Sequence, residues 1–288
     1  MSLDTLKQLQ SITSPFAFTS EHVQGPGGNT SYKQNGEILI KGSGFTFRDV
    51  TQDNGVVKLE NQRITNSLHA KQALAGHTES QTPEVLDSIP LGIKPSMEYE
   101  FHSLLSRYVL HTHLVYANVV TCAAECEKLL TETFTPEEYL LIPYVTPGYP
   151  IAEALLSQTA NHWPPIIFLK NHGIIVHADT AEEVIERYTY AENKLKQQLK
   201  LNPMPELPIQ ERTETNCIID VKTITGGQAD TNTMEEELTG KVLIPDQSIF
   251  FRNKISSVNS EAEIFIDISA QQVVITCLLY TSPSPRDS

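Results

Sequence analysis

Basic residues are scarce in this chain of 288 residues: Lys and Arg total 21 against 35 Asp and Glu, a formal charge of −14. Such an acidic chain repels a phosphate backbone, and no basic patch with interleaved aromatics offsets that, so nucleic acid is not an expected partner. A local cleft can still be positive, which leaves an anionic small molecule open. Long apolar runs are also missing. No stretch reaches the roughly 20 residues that span a bilayer, so no membrane association is expected. The opening MSLDTLKQLQSITSPF has neither the basic start nor the apolar run of a secretory leader. Cysteine is limited to Cys122, Cys126, Cys217 and Cys277. These suggest no disulfide framework, which fits a reducing cytoplasm. Cys122 and Cys126 are four apart in an apolar helical pattern. That spacing could support a metal pair, but two buried helix cysteines is the simpler reading. There is no internal repeat, no Walker A loop and no G-x-G-x-x-G after a strand, so a complete nucleotide-binding dehydrogenase domain is not expected.

What is present suffices for one large domain or two modest ones, with 40% hydrophobic residues to build a core. Residues 2–11 read as a short amphipathic helix. EILIK at 37–41 follows the Asn35-Gly36 turn as a strand, and VVKLE at 56–60 follows Asn54-Gly55 in the same way. Residues 65–76 have helical character, 78–96 read mostly as loop, and a helix is expected from Met97 to about Arg107. YVLHTH at 108–113 reads as a strand and 114–130 as helix. YPIAEALLSQTA at 149–160 is helical, and IIFLKNHGIIVHA at 166–178 reads as two strands around Asn171-His172-Gly173. A long helix covers 180–200, with Asp179-Thr180 at its cap and Glu182 and Glu183 in its first turn.

Composition shifts at the Pro-rich LNPMPELPIQ near residue 201. The expected organisation is one domain over 1–200 and a small strand-rich extension over 201–276, carrying CIIDV, KVLIP, SIFFR, EIFIDI and QQVVIT. The last residues, CLLYTSPSPRDS, resemble translated adapter sequence. The native chain is therefore expected to run on differently after about Thr276, with 277–288 carrying no function.

His111 and His113 are two apart on the expected strand, so their imidazoles share a face. Neutral imidazole is the commonest metal-ligating side chain, and catalytic zinc sites combine three protein ligands with an open position. His172, at a tight turn before Gly173, supplies a third candidate ligand. His177, at a strand end, reads as a surface or hydrogen-bonding residue. Glu98 and His102, four apart, share a helix face. Glu98 suits a fourth ligand or a base, and His102 a core histidine or a donor behind the ligands. Ser96, after Lys94-Pro95, is a cap candidate.

The segment Gly25-Pro26-Gly27-Gly28-Asn29-Thr30-Ser31 and the loop Lys41-Gly42-Ser43-Gly44 can each form a nest of backbone N–H groups for an anion. Lys33 would add charge. Two such loops beside a metal suggest a handle for a phosphate or a polyol.

These segments together resemble the class II aldolase/adducin family. The likeness rests on GGNTSYK at 27–33, IKGSG at 40–44, PSMEYEFH at 95–102, HTH at 111–113, YVTPGYPIAEAL at 144–155 and KNHGIIV at 170–176. The wording of the GNTSYK…IKGSG and PSMEYEFH segments looks closest to the aldolase part of rhamnulose-1-phosphate aldolase/dehydrogenase-like bifunctional proteins. The resemblance implies a three-layer α/β/α fold with a central, mainly antiparallel sheet, and a homo-oligomer, often a tetramer, with sites between subunits. It implies Zn2+ or another divalent metal on His111, His113 and His172, and a catalytic glutamate at Glu98. Its phosphate-binding positions fall on Asn29, Ser43, Gly44 and Ser96.

The activity implied is metal-dependent cleavage, in the cytoplasm, of a small sugar phosphate such as rhamnulose 1-phosphate into dihydroxyacetone phosphate and an aldehyde. Epimerisation of a pentulose phosphate and a non-enzymatic sugar sensor or scaffold are the alternatives. Retention of every metal position argues against a metal-free, adducin-like role. Two positions depart from the family pattern. Met97 stands where a serine often follows Ser96, and it cannot donate to a phosphate. Leu114 stands where a proline often follows the HTH segment. Tyr116, Tyr144 and Tyr149 are all candidates for the family's tyrosine acid.

Overall fold

The computed structural model describes residues 1–73, 83–158 and 163–200, together with five short backbone strands between 211 and 276. The chain divides into two compact units, Met1–Leu201 and Asn202–Ser288.

The first unit begins with α1 (Leu3–Thr13), capped by the Ser2 hydroxyl, which accepts from the Thr5 N–H. Strands β1 (Asn29–Gln34) and β2 (Glu37–Lys41) form a hairpin. Asn35 and Gly36 at its tip both take positive φ, as this tight turn requires. Next come β3 (Val56–Glu60), α2 (Asn61–Ala73), β4 (Val85–Ile89), α3 (Tyr99–Leu104), β5 (Tyr108–Thr112), α4 (Val115–Cys122) and α5 (Cys126–Thr133). The unit closes with β6 (Tyr139–Ile142), α6 (Tyr149–Leu156), β7 (Ile166–Leu169), β8 (Gly173–Ala178) and α7 (Ala181–Leu199). The strands form one sheet in the order β4-β3-β2-β1-β5-β8-β7-β6. Every neighbouring pair is antiparallel except β6 and β7.

Alternation along the strands divides the core in two, because successive side chains leave opposite faces of a sheet. Leu39, Val56, Leu110, Phe168 and Ile174 face one way and pack with Leu9 and Ile12 of α1, Val120 of α4, Leu130 of α5, and Val184, Tyr188 and Leu195 of α7. Ile38, Ile40, Val57, Val109, Ile167 and Ile175 face the other way, against Ile64 and Leu68 of α2, Phe101 of α3, and Ile151 and Leu155 of α6. The result is the three-layer α/β/α arrangement with a mainly antiparallel sheet. His111 has the parity of Val109, so it projects toward the layer of α2, α3 and α6.

Several element boundaries differ from the sequence expectation. The helix expected over Met97–Arg107 is only Tyr99–Leu104. By Leu105 the backbone is extended, and the Arg107 carbonyl already accepts from the Lys33 N–H of β1. The helix expected over 114–130 breaks at Ala123, which is extended. Cys122 and Cys126 therefore sit on separate helices rather than one turn apart on one, with Cys126 buried and Cys122 half-buried. The region read as loop before Pro90 contains β4, and the Gly-rich segment contains β1. The long helix is capped as expected, the Thr180 hydroxyl accepting from the Glu183 N–H.

In the second unit, β9 (Glu211–Arg212), β10 (Asn216–Asp220), β11 (Ile255–Ser256), β12 (Ile264–Asp267) and β13 (Gln272–Thr276) form a sheet in the order β11-β12-β13-β10-β9. The expected runs CIIDV, EIFIDI and QQVVIT fall on β10, β12 and β13. KVLIP, SIFFR and the segment 277–288 lie outside the described residues.

Candidate metal centre

The site is built where β5 ends. His111 lies on β5, His113 follows just beyond it, and both are buried. His172 comes from the turn between β7 and β8, where Asn171 takes a positive φ and the His172 N–H donates to the Leu169 carbonyl. Gly173 brings this turn onto the end of β5. A Cβ added there would lie 2.3 Å from the Thr112 carbonyl oxygen, so only glycine permits the approach. The three rings converge, with centroids 5.1 Å apart for His111 and His113, 4.9 Å for His111 and His172, and 5.0 Å for His113 and His172. One nitrogen from each lies within 4.8 Å of the others, and this is the one such cluster of His, Cys, Asp or Glu among the described residues.

Glu98 stands beside the cluster at the N-terminus of α3. Its Oε2 is 3.5 Å from His111 Nε2 and its Oε1 is 3.6 Å from His172 Nε2. Burial alone would push its carboxyl up. The electrostatic pull of the neighbouring His111 and His172 and a hydrogen bond from Asn29 outweigh burial and bring it to about 2. The Asn29 amide donates to Glu98 Oε2 at 2.7 Å and to Ser96 Oγ at 2.9 Å.

The donor set fits a divalent ion. Three imidazoles are one of the ligand sets that catalytic zinc takes. His111 Nδ1 donates to the Ile174 carbonyl at 3.0 Å, which leaves the lone pair of Nε2 directed into the cluster. Glu98 Oε1 is buried and accepts no hydrogen bond from the described residues, as befits an oxygen that faces a cation.

The family model described as Class II Aldolase and Adducin N-terminal domain matches residues 8–199. The chain belongs to this family. The N-terminal class II aldolase domain of a protein from Thermoplasma acidophilum superposes with a TM-score of 0.55 at 16% identity, over 67% of this chain and 93% of that one. YgbL from Klebsiella pneumoniae, described as a putative aldolase/epimerase/decarboxylase, gives 0.52 at 19% identity, over 70% of this chain and 91% of that one. The uncharacterized oxidoreductase YuxG of Bacillus subtilis (strain 168) is 26% identical over 96 residues, which are 33% of this chain and only 14% of YuxG.

In this class II aldolase-type unit, the four positions expected to hold phosphate divide into two pairs. Asn29 and Ser96 are buried and bonded to each other beside Glu98. Ser43 and Gly44 lie on an open loop, Gly44 with a φ of 83°. Lys41, whose role the sequence did not suggest, ties this loop to the Gly-rich segment. Its buried ammonium donates to the carbonyls of Pro26 and Phe45, at 3.1 and 2.5 Å. Lys33, expected to add charge to the anion nest, points elsewhere. It faces α3, where its ammonium donates to the His102 carbonyl. Burial drives its pKa down to about 7, against an opposing pull from Asp179.

His102 is buried and hydrogen-bonded to both Ser31 and Asn29. His177 takes the hydrogen-bonding role expected of it, with Nδ1 on Ser106 Oγ and Nε2 on the Pro164 carbonyl. Of the candidate tyrosines, Tyr116 packs in the core on the far side of the sheet from the three histidines and donates to Glu21. Tyr144 is 54% exposed, and Tyr149 lies against the core layer on the metal side. Leu114, at the departure after HTH, is fully buried. Met97 is partly exposed, and its methyl lies near Gly148 at the start of α6.

Proposed function

We propose that this chain is a zinc-type class II aldolase, a lyase that cleaves a ketose 1-phosphate such as rhamnulose 1-phosphate into dihydroxyacetone phosphate and an aldehyde. The observation that carries this reading is the placement of Glu98, one oxygen beside His111 and the other beside His172. A carboxylate in that position can exchange a proton with a carbon next to the substrate's carbonyl. A divalent ion held by His111, His113 and His172 would supply Lewis acidity to the substrate's carbonyl and hydroxyl oxygens. As the carbon–carbon bond breaks, the hydroxyl that becomes the aldehyde gives up its proton, and Glu98, protonated once substrate is bound beside it, passes a proton to the released carbon; in the reverse direction it removes one from the same carbon. The Asn29 amide holds Oε2 and leaves Oε1 available for that exchange. Ser43 and Gly44 take the distal phosphate, with Asn29 and Ser96 bordering it from within. The working form is a homo-oligomer, with a tyrosine across a subunit contact taking the hydroxyl proton as the aldehyde forms and returning it to the aldehyde oxygen in the reverse direction.

The test is a substrate panel on zinc-loaded protein: ketose 1-phosphates, pentulose 5-phosphates and unphosphorylated sugars, with dihydroxyacetone phosphate detected by coupled reduction. Release of that triose phosphate from a ketose 1-phosphate supports the reading. Conversion of a pentulose phosphate to its epimer with no triose released would replace aldolase by epimerase. Full activity in His111→Ala would sink the metal mechanism altogether.

A further inference from the structure

We infer that His102 is a positioning residue for Glu98, acting through the side-chain amide of Asn29. This rests on the reading of Glu98 as the proton carrier.

Three alternate residues of β1 grip His102. Asn29, Ser31 and Lys33 share one face of the strand, and each bonds to His102: Asn29 Oδ1 and Ser31 Oγ to its two ring nitrogens, Lys33 Nζ to its carbonyl. Two of these bonds satisfy both ring nitrogens, and the third fixes the backbone beneath the ring. Here the same strand that grips the ring also carries the residue that touches Glu98.

The chemistry of the partners fixes the direction of every bond. A carboxylate only accepts, so the Asn29 NH2 faces Glu98 and Asn29 Oδ1 faces His102. His102 Nε2 must then carry the proton, and Nδ1 accepts from the Ser31 hydroxyl. Burial, with the Lys33 ammonium and the His111 ring nearby, holds this imidazole well below its ordinary pKa and so keeps it neutral. An asparagine amide can turn over within nearly the same volume. Without the His102 donor, the amide is held only from its NH2 side, by Glu98 and Ser96, and its oxygen loses the hydrogen bond that fixes it. A turned amide sets its oxygen against Glu98 Oε2, and the carboxylate swings off its line to the metal-side carbon.

The test compares His102→Phe, His102→Gln, Asn29→Ala and the His102→Phe/Asn29→Ala double variant in zinc-loaded form, alongside zinc content and crystal structures of the metal-free chains. A glutamine amide can reproduce the donor at Nε2 and so rescues. His102→Phe is expected to lower kcat on the order of 10²-fold, with KM and zinc content little changed. His102→Gln should recover most of that loss, and the double variant should be no slower than Asn29→Ala alone. The 2.7 Å contact from Asn29 to Glu98 should persist in the Gln variant and be lost in the Phe variant. Undiminished kcat in His102→Phe, additive losses, or an unmoved Asn29 amide would each overturn the inference. If His102→Phe does not fold, Ser31→Ala tests the same link: a fall in kcat at constant KM is expected, and no change overturns it. If the wild-type chain cleaves no sugar phosphate, the functional reading fails, while the crystal structures still decide whether His102 sets the amide.

Discussion

Asn29 on β1 sits directly opposite His111 on β5 in the antiparallel register. Opposed residues in such a pair have side chains on the same face with Cβ atoms about 4.5–5.5 Å apart. The pairing therefore places an amide beside an imidazole with no loop between them, and Glu98 only has to reach the gap. Two adjacent strands thus supply a rigid floor for both halves of the site.

That floor makes metal content a direct readout. Zinc-saturated protein is expected to hold about one ion per chain, and dialysis against a strong chelator should remove both metal and activity, with zinc restoring them. His113→Ala should lower affinity by more than the 10–100-fold typical of losing a partner behind a ligand. His177→Ala should retain its zinc, because both its ring nitrogens bond to Ser106 and Pro164 outside the cluster. Elemental analysis of the purified variants checks both outcomes.

Glu98→Gln separates binding from proton transfer. The amide is nearly isosteric, so the three histidines should keep their ion. The loss of a group that can accept and return a proton should lower kcat by about 10²–10⁴-fold. Steady-state kinetics with measured zinc occupancy would show this. A fall in occupancy matching the fall in rate would instead make Glu98 a ligand alone.

Gly173 is expected to tolerate no side chain. The Cβ of Gly173→Ala would meet the Thr112 carbonyl oxygen at 2.3 Å, and both belong to backbone in the sheet. Relief requires moving β8 away from β5, at about 1–3 kcal/mol. Thermal melting should fall by about 2–4 °C for each kcal/mol, and zinc affinity should drop with it because His172 moves too.

Lys33 predicts a specific pH dependence of stability. The unfolded chain keeps this proton to about 10.5, whereas burial in the folded chain releases it near 7. Between those values the unfolded state binds more protons, so stability rises with pH across that window. Below about 7 both states are protonated, and the cost of the buried ammonium is present in full. Urea midpoints measured from about pH 6.5 to 9 should climb more steeply for the wild type than for Lys33→Met. Parallel curves would show that the ammonium is solvated.

The metal-side logic was largely legible in the residues. Alternation on YVLHTH put His111 and His113 on one face, and the Asn-His-Gly turn after IIFLK marked His172, because strand period and turn chemistry are local properties. The turn at Asn35-Gly36 and the cap at Thr180 were readable for the same reason. The strands β1, β4 and β6 were not. NTSYK lies among glycines, VLDSI lies within the stretch read as loop, and YLLI is too short to show a period. Each is a strand because a neighbouring strand pairs with it, and pairing is not local. The helix after Met97 stops short for the same kind of reason, since the sheet recruits the Arg107 carbonyl.

The sequence by itself determined which side chains could carry the chemistry, and through the family's spaced motifs it determined the fold. Only the tertiary structure decided how they are connected. Asn29 and His102 are 73 positions apart, and no periodicity relates them. Lys33, which sequence reading assigned to an anion nest, was taken instead by the carbonyl of His102. Hydrogen-bond partners are chosen by which strand faces which helix, and a buried donor or acceptor takes whatever group that packing brings within reach.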